Sequence, residues 1–147
     1  MIAKPKLYLV HAQRAFRTLW PEARLAHLLE ESLFADFVRE GRLTDAMIER
    51  FRALGRYCVA AGADAILFTC SAFGQAIDAV KRDQRIPVLK PNEALYDELV
   101  TRSGKVALLA TFAPTLPSMM AEIEAYPGAN RASPRVDTHL VDGALDA

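Results

Sequence analysis

Gly62-Ala63-Asp64-Ala65-Ile66-Leu67-Phe68-Thr69-Cys70-Ser71-Ala72-Phe73-Gly74 is the stretch whose reading decides the fold. Its middle, Asp64 to Thr69, is apolar without polar alternation, the pattern of a parallel strand covered on both faces. The segment Ser71-Ala72-Phe73-Gly74 reads as the opening of a helix, so Cys70 falls where a buried strand gives way to a helix. Ligands of open α/β sheets gather outside the carboxyl ends of the strands. A helix N-terminus also stabilises a thiolate through its unpaired N–H groups and dipole. The spacing therefore presents Cys70 as a candidate reactive thiol.

Outward from this point the chain alternates between two patterns. Lys6–Val10, Arg24–Leu29, Ile86–Leu89, Lys105–Ala110 and Val136–Val141 are further Val/Ile/Leu-rich runs that predict strands. A helix is predicted from a Thr44 cap to Gly62, with Met47, Phe51, Leu54 and Cys58 on one apolar stripe. Others follow Cys70, start at Asn92 after Pro91, and run from near Thr115 to a stop before Pro127-Gly128. This order predicts an α/β fold with a doubly wound parallel sheet. Lys6–Val10 echoes Lys105–Leu109, and His27-Leu28-Leu29-Glu30 echoes His139-Leu140-Val141-Asp142, as if a unit were repeated. On this reading residues 1–103 form one complete α/β half carrying Cys70, and residues 104–147 begin a second, pseudo-symmetric half.

Composition narrows the function. With 147 residues, 52% of them hydrophobic, the chain is long enough for a well-cored domain. Eighteen basic and eighteen acidic residues, dispersed along the chain, lack the concentrated basic face of a nucleic-acid or membrane-surface binder. A small-molecule partner is the expectation. No run of about 18 apolar residues is present, and Met1-Ile2-Ala3-Lys4-Pro5-Lys6 leads into a strand pattern and not a signal-peptide core, which predicts a cytoplasmic protein. Cys58 and Cys70 are expected to be free thiols; no Cys/His spacing suggests zinc, and His11, His27 and His139 are dispersed.

Spacing tests known thiol chemistries. A thioredoxin-like site requires a cysteine at position 73, where Phe stands, and a cysteine-phosphatase loop an arginine at position 76, where Ala stands. His11-Ala12-Gln13-Arg14 after the first predicted strand supplies neither a phosphate loop nor paired carboxylates. What survives is a thiol used as an acid/base at carbon or as a nucleophile. His11 and Gln13 fall at the expected carboxyl end of the first strand and are candidate ligand contacts.

The segment Gly62 to Gly74 resembles the first-cysteine motif of the aspartate/glutamate/hydantoin racemase superfamily. Leu29-Glu30-Glu31-Ser32-Leu33 is similar to its acidic-Ser-Leu turn, and Pro87-Val88-Leu89-Lys90-Pro91-Asn92-Glu93-Ala94 to the turn after the cysteine helix. Val106 to Leu116, with Thr111 and Thr115, is similar to the start of its second half. The resemblance implies two similar α/β halves facing across a cleft, with Cys70 moving a proton at the carbon alpha to a carboxylate or hydantoin carbonyl. It also implies that Thr69, Ser71, Thr111 and Thr115 supply hydroxyls and backbone donors to the substrate carboxylate, without metal or organic cofactor. Thr111 and Thr115 have an alternative reading as turn and N-cap hydroxyls, Ser32 as a cap, and Asn92 and Glu93 as a helix start.

The chain departs from the family in one respect: no cysteine follows Cys70. Two-base racemisation requires groups on opposite faces of Cα. Either the second half is cut short and the chain is inactive, binding a carboxylate or serving in assembly, or another group such as His11 replaces the thiol. The remaining possibility is one-sided chemistry, resembling the single-cysteine decarboxylases of the superfamily. A second half with only two strands leaves sheet faces uncovered, which predicts a homo-oligomer, a dimer in the simplest case.

Overall fold

The computed structural model describes residues 6–127 and 134–144. The chain divides into two compact units, Met1–Thr44 and Asp45–Ala147.

The first unit contains α1 (Lys6–Leu19) and α2 (Ser32–Glu40). Lys6–Val10, expected as a strand, is the first part of α1. A short apolar run cannot by itself separate strand from helix, and the helix-forming sequence Ala12-Gln13-Arg14-Ala15 continues it into a helix that stops before Pro21. The expected strand Arg24–Leu29 is irregular. The apparent repeat therefore does not survive in three dimensions: Lys6–Val10 is helical where Lys105–Leu109 is a strand. In α2, Leu33 and Phe37 are buried, and Gly41 ends the helix in the left-handed region at φ 66°, its N–H donating to the Phe37 carbonyl at 2.9 Å. Ser32 is the first residue of this helix and not its cap; Glu30 Oε1 accepts from the Ser32 N–H at 2.8 Å and from its Oγ at 2.6 Å.

The second unit begins with α3 (Asp45–Ala60), directly after Thr44 as expected. Its stripe is inward: Met47, Phe51 and Gly55 are buried, while Leu54 and Cys58 are half-buried. The helix ends in a Schellman motif. Gly62 at φ 87° donates to the Val59 carbonyl at 3.0 Å, and Ala63 to the Cys58 carbonyl at 3.0 Å. Then follow β1 (Ile66–Leu67), a three-residue 3₁₀ turn (Ser71–Phe73), α4 (Gly74–Asp83), β2 (Val88–Leu89), α5 (Glu93–Leu99), β3 (Lys105–Ala110), α6 (Thr115–Glu124) and β4 (Arg135–Leu140).

The strands form two separate parallel pairs. β1 pairs with β2 in the register Ile66↔Val88 and Leu67↔Leu89, and β3 with β4 from Lys105↔Arg135 to Ala110↔Leu140. Both pairs are parallel, as expected. A continuous sheet covered on both faces is not what the described residues form: Ile66, Val88, Leu108 and Ala110 are buried, but their alternates Leu67, Leu89 and Leu109 are exposed. Helices cover one face of each pair.

The core has two centres. α4 is buried along its length through Ala76, Ile77, Ala79 and Val80, and packs on α3, β2 and α6. Gly55 permits the α3–α4 approach, because a Cβ there would lie 2.5 Å from Val80 Cγ1. The second centre joins Tyr96, Leu108 and Met119, with Leu116, Met120, Ile123, Tyr126 and Val136 around them. It seals α5 and α6 against the β3–β4 pair.

Candidate active site around Cys70

Cys70 lies three residues beyond β1, in extended conformation at φ −118°, ψ 119°. The backbone ladder continues past the strand, with the Phe68 N–H donating to the Leu89 carbonyl at 3.1 Å. Because β1 and β2 are parallel, the Cys70 segment and Lys90-Pro91-Asn92 leave the sheet at the same carboxyl edge, the edge where α/β folds bind ligands.

The turn after Cys70 is held by its apolar residues. Ala72 and Phe73 are buried, and the Phe73 ring centroid lies 5.0 Å from that of Phe51 on α3, with Phe68 5.7 Å from Phe51 on the other side. This aromatic cluster fixes the backbone from which Cys70 projects. Solvent reaches Cys70, yet enough protein crowds the sulfur to disfavour its charged form. Burial raises its pKa above the ordinary thiol value, and a hydrogen bond from the Ala72 backbone only partly offsets it. The helix expected after Cys70 opens as a 3₁₀ turn, Ser71–Phe73, and runs directly into α4 at Gly74, so burial outweighs whatever the helix start contributes. The resting group at neutral pH is therefore the protonated thiol. Cys58, half-buried on α3, is likewise raised by burial.

The candidate hydroxyls flank two turns. Thr69 is exposed and Ser71 half-buried beside the cysteine; Thr111 is exposed just after β3, and Thr115 is the first residue of α6. α6 packs against the Ser71–Phe73 turn, so the second strand pair's turn and the cysteine turn belong to one packed unit. Neither turn uses its hydroxyls for capping: the 3₁₀ turn and α6 have no side-chain cap bond, and the cap of α6 is Pro114. Thr115 and Leu116 are tied instead by backbone bonds to Phe112 and Ala113, at 3.0 and 3.2 Å. Asn92, the expected helix start, caps α5 by position, and its amide reaches the Tyr96 hydroxyl at 3.4 Å. His11 and Gln13 lie in α1, in the other unit, and so do not follow a strand.

A polar cluster beside the cysteine turn was not expected from the sequence. The Lys90 ammonium, just beyond β2, sits 2.8 Å from Asp78 on α4 and 3.2 Å from Glu122 on α6. The Lys90 and Glu122 side chains are each only 11% exposed. Burial opposes the ammonium, but Asp78 and Glu122 more than offset it and hold the Lys90 pKa above its usual value. Tyr96 is raised by burial and by the Glu122 charge, and Tyr126 is pushed up to about 12, chiefly by its hydrogen bond to Asp97 at 2.7 Å. Glu122 also presses on Gly74, the first residue of α4. A methyl group there would overlap Glu122 Oε1, with Glu122 Cδ 2.9 Å and Ser118 Oγ 3.2 Å away. The sequence signal for this cluster was faint: Ser118 and Glu122, four apart, interrupt the apolar stripe of α6.

Two surface clefts occur in the same unit. One, between α3 and α4, is bounded by Asp45, Glu49, Gln75 and Arg82; the other, beside β2 and α5, by Leu67, Leu89, Pro91 and Tyr126. Cys70 and the four candidate hydroxyls line neither. No described helix is long and apolar enough to cross a membrane, and no cluster of three or more metal-ligating His, Cys, Asp or Glu occurs among the described residues.

No curated protein and no solved structure shows significant similarity to the chain. Residues 20–145 match the sequence pattern of the Asp/Glu/Hydantoin racemase family, a span that takes in the cysteine turn, the polar cluster and both strand pairs, and the chain is a member of that family.

Proposed function

We propose that the protein is a cofactor-independent isomerase of the racemase type, acting at the carbon alpha to a carboxylate in an amino-acid or hydantoin substrate, with Cys70 as its acid/base. The observation that carries this reading is the solvent-accessible thiol at the carboxyl edge of a parallel strand pair in a chain of this family. A proton alpha to a carboxylate is very weakly acidic. The site must therefore stabilise enediolate-like charge while the sulfur stands close to Cα. Thr69 and Ser71 beside the cysteine, and Thr111 and Thr115 across the α6 packing, carry hydroxyls free of capping duty among the described residues, and these suit a carboxylate. In the reaction the thiolate form of Cys70 takes the Cα proton, the electron pair spreads onto the carboxylate, and an acid on the opposite face of Cα returns a proton there, inverting the centre.

A second reading is favoured by the raised pKa of Cys70, which keeps the sulfur as a proton donor at neutral pH. Here the chemistry is one-sided. The substrate loses carbon dioxide, the electron pair of the broken C–C bond stays on Cα, and the Cys70 S–H delivers its proton there; water then reprotonates the thiolate.

Incubation of the purified protein with amino acids and hydantoins in heavy water separates these readings. Deuterium at Cα without loss of carbon, abolished in Cys70→Ala, is the isomerase result. Release of carbon dioxide with one deuteron at Cα is the decarboxylase result. If neither occurs in wild type, the chain is a binding or assembly member of the family; if wild type and Cys70→Ala exchange alike, Cys70 is not the acid/base.

A further inference from the structure

Lys90, Asp78 and Glu122 form a charged cluster that no step of the proposed reaction uses. A lysine and a glutamate that are each 11% exposed pay a desolvation cost that pairing alone need not repay, and partners of this kind are retained in some proteins for the geometry they impose. Here the geometry bears on the cysteine turn. Asp78 lies on α4, the helix that continues directly from the Ser71–Phe73 turn, and Glu122 lies on α6, the helix that packs on that turn. Lys90 itself follows β2, the strand paired with β1. One ammonium thus ties α4 and α6, the helices on either side of Gly74, to the end of β2. Gly74 completes the arrangement, since only a residue without Cβ leaves room for the Glu122 carboxylate at the start of α4.

We propose that Lys90 is a positioning residue of the Cys70 site: by clasping Asp78 on α4 and Glu122 on α6, it sets how closely α6 covers the turn that carries the thiol. This rests on the reading of Cys70 as the reacting group. The charged groups around Lys90 are Asp78, Glu122 and Glu93, whose carboxylate accepts from the Lys90 backbone N–H at 3.2 Å. None of them is a direct cause of the Cys70 shift, which comes from burial and from the Ala72 N–H. The influence of Lys90 is therefore carried by how the helices pack.

The test uses the full chain in a Cys58→Ala background and follows the pH dependence of Cys70 alkylation by iodoacetamide. Lys90→Met removes the charge at similar length. Gly74→Ala displaces Glu122 from Lys90 without changing any charge. Both are expected to loosen α6, rehydrate the sulfur and move the alkylation midpoint to lower pH by about half a unit, roughly threefold in rate below the midpoint. Lys90→Arg, which keeps the cation, is expected to retain the wild-type midpoint. A lowered melting temperature with an unmoved midpoint in Lys90→Met or Gly74→Ala would show a merely structural role and overturn the proposal. Where Lys90→Met fails to fold, Gly74→Ala decides, because the atom it displaces is the end of a flexible side chain. Alkylation requires no substrate, so absence of Cα exchange in wild type defeats the catalytic reading without touching this measurement.

Discussion

Cys70 shows how much of a residue's chemistry depends on atoms that are distant in sequence. Its location at a strand end was readable from Asp64–Thr69 and the residues after it. The direction of its pKa was not, because this depends on the depth of burial around the sulfur. Burial disfavours the thiolate, so the folded pKa lies above the unfolded one. The contribution of Cys70 to stability is accordingly whole below the unfolded thiol's pKa and is lost as pH rises through the folded value. In a Cys58→Ala chain, the alkylation midpoint of Cys70 should exceed the free-cysteine value of about 8.5 and return to it in denaturing urea. Equal midpoints in the two conditions would show that the fold does not crowd the sulfur.

The elements divide by whether local signals agree with long-range packing. α3 was legible because its stripe, its start after Thr44 and its Gly62 terminator all point the same way, and β3 because its apolar run, residues 106–110, found a parallel partner in β4. Lys6–Val10 and Arg24–Leu29 had the composition of strands without a partner to pair with, and composition alone does not make a ladder. The α3–α4 contact permits a sharp test. Gly55→Ala gains up to about 1 kcal/mol of helix propensity but overpacks against Val80, which costs about 1–3 kcal/mol. The net loss should be about 1 kcal/mol in urea unfolding, and the double variant Gly55→Ala/Val80→Ala should show a favourable coupling. Additive losses would mean that the two residues do not meet.

For the whole molecule, the decisive feature is what the two strand pairs leave uncovered. Parallel sheets are normally buried on both faces, and a two-stranded sheet is marginal alone. Leu67 and Leu89 lie side by side in register with their side chains exposed, and Leu109 on β3 is 64% exposed. A homodimer that covers such faces is the expected state in solution, with about 800 Å² buried per partner. Sedimentation velocity at micromolar concentration should therefore give twice the 16.2 kDa chain mass. A monomer, with Leu109→Lys no different from wild type in solubility or mass, would count against it.

What the amino-acid order determined by itself was local: the alternation of helix and strand in the second unit, the parallel sense of its strand pairs, and the position of Cys70 at a carboxyl edge with hydroxyls on both sides. These follow from periodicity and terminator residues, which act over a few residues. Only the tertiary structure decided that Lys90, Asp78 and Glu122 meet beside Gly74, that burial raises the thiol's pKa, and that each strand pair keeps one face open. Charge pairing, desolvation and face coverage all depend on which distant segments come within a few ångströms, and no local pattern specifies that.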